Sequence, residues 1–228
     1  YTSKVTDMYH MFGRCGSLKH LDVSSFDTSK VTNMVGIFDD CNSLTNLDVS
    51  TFDTAKVEDM NAMFFGCSNL SSLNVKNFNT ANVTDMSGMF YGCQNIESLD
   101  LSNFNASNVT DMTAIFTDCP NLTVINTPYN IKVSAQLPKK TNRPNSRWLL
   151  VDGTEVTELP QNLDHSVTIT RESTSVGPVE DDSTQTGADS GVLEGTGSSA
   201  DTAVYGKRLL TAKPADFKTI LLSWEAAP

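Results

Sequence analysis

The stretch MFFGCSNLSSLNV, residues 63–75, has near-copies on both sides, IFDDCNSLTNLDV at 37–49 and MFYGCQNIESLDL at 89–101. Working outward, the five cysteines Cys15, Cys41, Cys67, Cys93 and Cys119 fall 26 residues apart without a slip. The same step carries Val5 to Val109, Met8 to Met112 and Phe12 to Phe116. Self-similarity at one period of roughly 20–29 residues reads as a leucine-rich solenoid, in which each unit gains its interior only by stacking on its copies.

Each unit carries two patterns in turn. In DTSKVTNMVGIFDDC, the apolar Val31, Met34, Ile37, Phe38 and Cys41 are spaced by three and four, which predicts a short helix with Asp27 or Thr28 as its N-cap. In SLTNLDVSTF, Leu47 and Val49 alternate with polar Asp48 and Ser50, which predicts a half-buried strand. The expected fold is therefore α/β: a right-handed leucine-rich-repeat solenoid with one short parallel strand and one short helix per 26-residue repeat, closed by a small β cap.

Four segments follow from the charge and the pattern. Residues 1–128 hold five repeats; the opening YTSKVTDM lies inside a repeat, so the chain reads as N-terminally truncated. Residues 129–172 form the expected cap, because Ile125, Thr127, Pro128 and Asn130 depart from the repeat pattern. Within it, Asp152-Gly153 between RWLLV and TEVTEL is a hairpin signal, since glycine readily takes the positive φ of a two-residue turn. Trp148 is expected to pack over the exposed rungs, with sugar stacking as the alternative. Residues 173–203, poor in large apolar side chains and rich in Ser, Thr, Gly and Asp, read as a flexible acidic linker, and 204–228 as the start of a β-sandwich.

Net charge is −11, and residues 1–130 hold 6 basic against 14 acidic side chains. Nucleic acid and anionic membrane both need a basic footprint, so neither is an expected partner. No apolar run approaches the roughly 18 residues of a membrane span. No C-x-x-C pair occurs and His10, His20 and His165 lie off any ligand spacing, so no metal or other cofactor is expected. The cysteines read as reduced, buried thiols, since parallel ladder side chains hold Cβ atoms near the rung spacing of about 4.8 Å, longer than the ~3.8 Å of a disulfide. With no G-x-S-x-G, no phosphate-cradling loop and no nucleophile–base pairing, no catalytic residue is expected.

Side chains alternating with the buried Leu and Val must face outward. The candidate binding residues are His20, Asp22, Ser24, Asn46, Asp48, Ser50, Ser72, Asn74, Lys76, Ser98, Asp100 and Ser102, with Val124 and Asn126 on the last copy. Three uses of this concave face stay open: a solvated surface, a contact surface for protein or glycan, and a calcium site. The sequons at Asn69, Asn82, Asn105, Asn108 and Asn121 read as turn polarity in an Asn/Ser/Thr-rich repeat.

The phrase MFxGCxNLxxLDVSxFxTxxVTDM, clearest from Met63 to Met86, resembles the bacterial surface protein 26-residue repeat family, a branch of the BspA-type leucine-rich repeat proteins. The terminal AKPADFKTILLSWEAAP is similar to the opening of a fibronectin type III domain. The first resemblance implies a secreted or cell-surface bacterial protein, exposed at the cell wall, that binds extracellular protein or glycan in adhesion or host interaction. It carries no catalytic residues. A structural stalk, and a targeting module of a larger surface enzyme, are the alternative expectations.

Overall fold

In the computed structural model, residues 2–139 and 146–173 are described. The expected linker and β-sandwich segment, apart from Ser173, lie outside these residues.

The 26-residue period is a stacking period, with position i of one coil lying over i+26 of the next. Isolated parallel bridges join Asp7 to Asn33, Asn33 to Asp59, Asp59 to Asp85 and Asp85 to Asp111. Between coils 2 and 3, Met34, Gly36, Phe38 and Asp40 donate their backbone N–H groups to the carbonyls of Asp59, Asn61, Met63 and Phe65 at 2.7–3.1 Å. The same four bonds recur at every coil junction, from Met8→Asn33 to Gly92→Thr117.

That ladder corrects the expected fold: the described residues contain no helix, and the leucine-rich α/β solenoid with one helix per repeat is not the fold of this chain. An α-helix directs its N–H groups to carbonyls four residues back, leaving none for a neighbouring coil. Here alternate N–H groups leave for the next coil, while Ile37, Asp39 and Cys41 close tight turns onto Met34, Gly36 and Phe38 three residues back. The backbone enters the left-handed region twice per coil, at His10 and Arg14, Gly36 and Asp40, Ala62 and Gly66, Gly88 and Gly92, and Ala114 and Asp118. A helix interior does not hold such residues. Consecutive turns also return apolar side chains inward at intervals of three and four, which is why the pattern imitated a helix.

The expected strand per repeat is corrected too. Assigned strands occur in only two copies, β1 (Ser98–Asp100) and β2 (Val124–Asn126), which pair in parallel. Burial still alternates as anticipated in the earlier copies, with Leu47 and Val49 buried between exposed Asn46 and Asp48. Beyond the repeats, β3 (Ser146–Leu150) and β4 (Glu155–Val156) form a hairpin around Asp152-Gly153, with Gly153 at φ 87°. Strand β5 (Thr168–Ser173) runs antiparallel to both β2 and β3, giving one mixed five-stranded sheet of order β1-β2-β5-β3-β4. The free edge of β2 is thereby paired.

The interior consists of columns. Phe12, Phe38, Phe64, Phe90 and Phe116 stack with ring centroids 5.7–6.0 Å apart and planes within 15°. Beside them each thiol of Cys41, Cys67, Cys93 and Cys119 donates to the carbonyl of a phenylalanine in the preceding coil, 3.0–3.2 Å away. All five cysteines are unbridged; four are buried, but Cys15 on the first coil is exposed, which corrects the expectation that all would be buried. Burial pushes the Cys41 thiol up to about 11 and the Cys119 thiol up to about 12. Thr28 does not cap a helix. Its buried hydroxyl donates to the Asp53 carbonyl at 2.9 Å and accepts the Asp53 N–H at 2.8 Å, and Thr54 does the same with Asn79.

At the C-terminal end Trp148, 4% exposed, joins the core and donates Nε1–H to the Pro138 carbonyl. The Arg171 guanidinium lies 4.7 Å over its ring and donates to the carbonyls of Pro120 and Pro138. The indole is closed to a sugar on that side.

Three predictions follow from these columns. Thr54→Val keeps the shape but removes both hydroxyl bonds to the Asn79 backbone, a loss of about 0.5–1.5 kcal/mol for each bond in urea unfolding. A cost near zero would remove the role given to the hydroxyl. Alkylation of the native, unreduced protein should modify Cys15 and spare the other four, with all five reacting in denaturant. The third concerns Asp59, whose carboxyl burial, reinforced by the Asp85 charge, holds above its ordinary 3.8. The native state therefore takes up this proton before the unfolded chain does, so stability from this group rises as pH falls through the raised value and levels off below the ordinary one. Asp59→Asn, whose amide serves the same turn at Asn33, should be more stable than the parent at pH 7 and lose that advantage towards pH 4. An advantage independent of pH would contradict the assignment.

Candidate polar and lateral faces

The twelve candidate binding residues lie where the alternation put them, all exposed or half-buried along one outer face. Their chemistry differs from that of a free polar surface. Asp22, Asp48, Asn74 and Asp100 each turn Oδ1 back to accept the N–H two residues on, from Ser24, Ser50, Lys76 and Ser102 at 2.9–3.2 Å. These Asx turns start the bend towards the buried Phe52, Phe78 and Phe104. The bonds also set the charge. Ser24 and Ser50 hold Asp22 and Asp48 below the ordinary carboxylate range. Ser102, aided by Lys76, brings Asp100 down to about 2. Lys76 Nζ sits 3.0 Å from Asp100 Oδ2 and ties neighbouring coils together. This face is acidic and carries short side chains already committed to backbone bonds, with His20, Asn46, Ser72 and Ser98 as its freer members. Among the described residues no group of three or more His, Cys, Asp or Glu could hold a metal ion.

Two further Asx columns turn the chain elsewhere in each coil. Asp7, Asn33, Asp59, Asp85 and Asp111 form one, and Asp27, Asp53, Asn79 and Asn105 the other. Four of the five sequon asparagines are also engaged, Asn105 in the column just named. The amides of Asn69, Asn82 and Asn108 donate to the carbonyls of Asn42, Ala55 and Ala81 in the preceding coil.

A second surface was missed by sequence reasoning. The residues around the left-handed positions form a lateral face on which the chain's chemistry changes from coil to coil. On coil 1, His10 Nδ1 lies 3.2 Å from Asp39 Oδ2, and the Tyr9 ring meets the imidazole edge-on at 4.4 Å. Gly36 makes room for this imidazole: a Cβ there would sit 2.4 Å from the ring. Tyr9, His10, Gly13 and Arg14 line a shallow depression of about 280 Å³. Burial, and next the Asp40 charge, raise the Asp39 carboxyl above its ordinary value, against the opposing pull of His10 and Arg14. On coils 3 and 4, Phe65 and Tyr91 stack at 4.5 Å with planes 8° apart, and the Asp118 carboxylate raises the Tyr91 phenol. The signal was present in the repeats. One column reads Gly13, Asp39, Phe65, Tyr91, Thr117 and the next Arg14, Asp40, Gly66, Gly92, Asp118, while their neighbours stay constant.

No helix among the described residues is long and apolar enough to cross a membrane. No curated protein matches the chain. Nor does any solved structure match it. A family model does, over residues 1–72 and again over 37–142, so that its matches reach from the first coil through the fifth and on past β2. By that match over more than half its length, the chain belongs to the family described as "Mycoplasma protein of unknown function, DUF285".

Proposed function

We propose that this chain is a cell-surface or secreted bacterial recognition module that binds extracellular protein or glycan through the outer face of its stacked coils. The observation that carries the reading is a division of labour within the repeat. Val, Met, Phe and Cys are constant in the interior, whereas one exposed position changes from His20 to Asn46 and then to Ser72 and Ser98. A stack held by its interior columns tolerates substitution outside, and repeat arrays commonly recognise partners through such surfaces. The resemblance of the repeat phrase to BspA-type surface proteins supports the same location and an adhesive role. Catalysis forms no part of the proposal.

The proposed contact surface is the polar outer face of a turn-rich stack, in place of the concave sheet of a leucine-rich solenoid. A second reading, a spacer that holds another domain away from the cell, draws on the Asx bonding that already occupies much of that face.

The two are separated by screening the chain against arrays of glycans and extracellular matrix proteins. Recognition predicts a saturable partner, with affinity falling at least tenfold in the triple variant Asp22→Asn, Asp48→Asn, Asp100→Asn, since Asn74 shows that the amide preserves the turn. Absence of any partner would favour the spacer.

A further inference from the structure

We propose that the lateral face carrying Phe65 and Tyr91, flanked by Asp40 and Asp118, is a docking surface for a basic, apolar-bearing segment of another protein. The proposal concerns a surface separate from the polar face and stands whether or not that face binds anything.

Three features support it. The aromatic pair is half-buried at a position where a polar residue or glycine serves the fold equally, as Gly13, Asp39 and Thr117 show in the same column. The coil junction therefore does not require the rings. Gly88 and Gly92 add no side chain beside the pair: a Cβ at Gly88 would touch the Phe65 ring at 3.7 Å, and one at Gly92 the Gly66 backbone at 3.5 Å. Charge then selects the occupant. The Asp40 carboxylate lies over Gly66 at one end and Asp118 stands beside the Tyr91 hydroxyl at the other, and neither has a cation within ion-pair distance among the described residues. The net charge of −11 steers in the same direction.

The carboxylates beside the rings argue for a basic protein segment over a neutral glycan. Phe65 and Tyr91 stack on each other, which takes one face of each ring from a pyranose, and the flanking carboxylates call for cations that a neutral glycan lacks. The aliphatic stem of lysine or arginine covers apolar surface while its head reaches a carboxylate.

The repeat supplies the variants that test this. Phe65→Thr with Tyr91→Thr copies Thr117, and Asp40→Gly with Asp118→Gly copies Gly66 and Gly92, so each pair removes the surface with residues the fold already uses. Binding of the full chain to a peptide of alternating lysine and leucine is measured by calorimetry at 0.05 and 0.3 M salt, with an alternating glutamate–leucine peptide and a neutral oligosaccharide as comparisons. The proposal expects saturable binding of the basic peptide alone, weakened by salt, and lowered at least tenfold in either variant but unchanged in the polar-face triple variant. It is overturned by no binding of the basic peptide, by equal binding of the acidic peptide or the sugar, or by loss only in the polar-face variant. Circular dichroism melting of each variant confirms that the stack is intact.

Discussion

The structure depends on one constraint: at every junction a coil gives four backbone N–H groups to the carbonyls of the coil that follows, in strict 26-residue register. Each such bond is worth about 1 kcal/mol net, but its greater effect is to forbid slippage. A shift of one residue would carry phenylalanines out of the ring column and replace them with Met or Ile from one side or the unmatched Gly13, Asp39, Phe65, Tyr91 and Thr117 from the other, so interior and register enforce each other. The left-handed residues follow from the same constraint, because a chain that turns so tightly and still aims alternate N–H groups at its neighbour must reverse its φ twice per coil.

In-register stacking places like charges over one another, and the Asx columns show how the sequence limits the cost. Two carboxylates about 5 Å apart repel by roughly 0.8 kcal/mol in water but by roughly 3 at an effective dielectric of 20. Asparagine accepts the same turn bond without charge. The well-solvated column that begins at Asp22 is broken at Asn74, and the one that begins at Asp27 ends in Asn79 and Asn105. The longest unbroken run, Asp59–Asp85–Asp111, sits half-buried, and there the Asp59 carboxyl is displaced upward. Burial is the larger cause of that displacement and the Asp85 charge a smaller one, while bonds from Thr113 keep Asp111 in the same run below its ordinary value.

The repeat, its interior columns, its exposed alternation and the Asp-Gly hairpin were legible because each is a statement about period, and period survives any local conformation. The helix was not legible. Val31, Met34, Ile37, Phe38 and Cys41 report only that inward positions recur every three or four residues, which one helix and a succession of turns both satisfy. The glycines at 36, 66, 88 and 92 were the available contrary signal, since glycine suits the left-handed region and weakens a helix. The polar face was placed correctly by alternation, but its Asx bonding was hidden because Asp or Asn two residues before serine reads equally as a solvated pair. The lateral face escaped because a search for constant columns passes over the columns that vary.

Closure of the stack shows how a repeat ends without leaving an open edge. In the fifth copy Ala106 stands where threonine bridged coils, and its N–H goes directly to the Tyr129 carbonyl. A different threonine takes over: Thr127 accepts the Val167 N–H as the chain returns into β5. Because β5 is antiparallel to β2, it satisfies the last parallel strand without needing to resemble a coil, and it offers its other edge to the β3–β4 hairpin. Arg171 then reaches from β5 to the carbonyls of Pro120 and Pro138 while covering Trp148. A half-buried guanidinium without a carboxylate is costly unless other groups replace its water; carbonyls and an aromatic face do so for its terminal nitrogens, while Nε has no partner. The decay of the repeat pattern after Asn126 is thus the point at which side chains chosen for stacking give way to side chains chosen for closure.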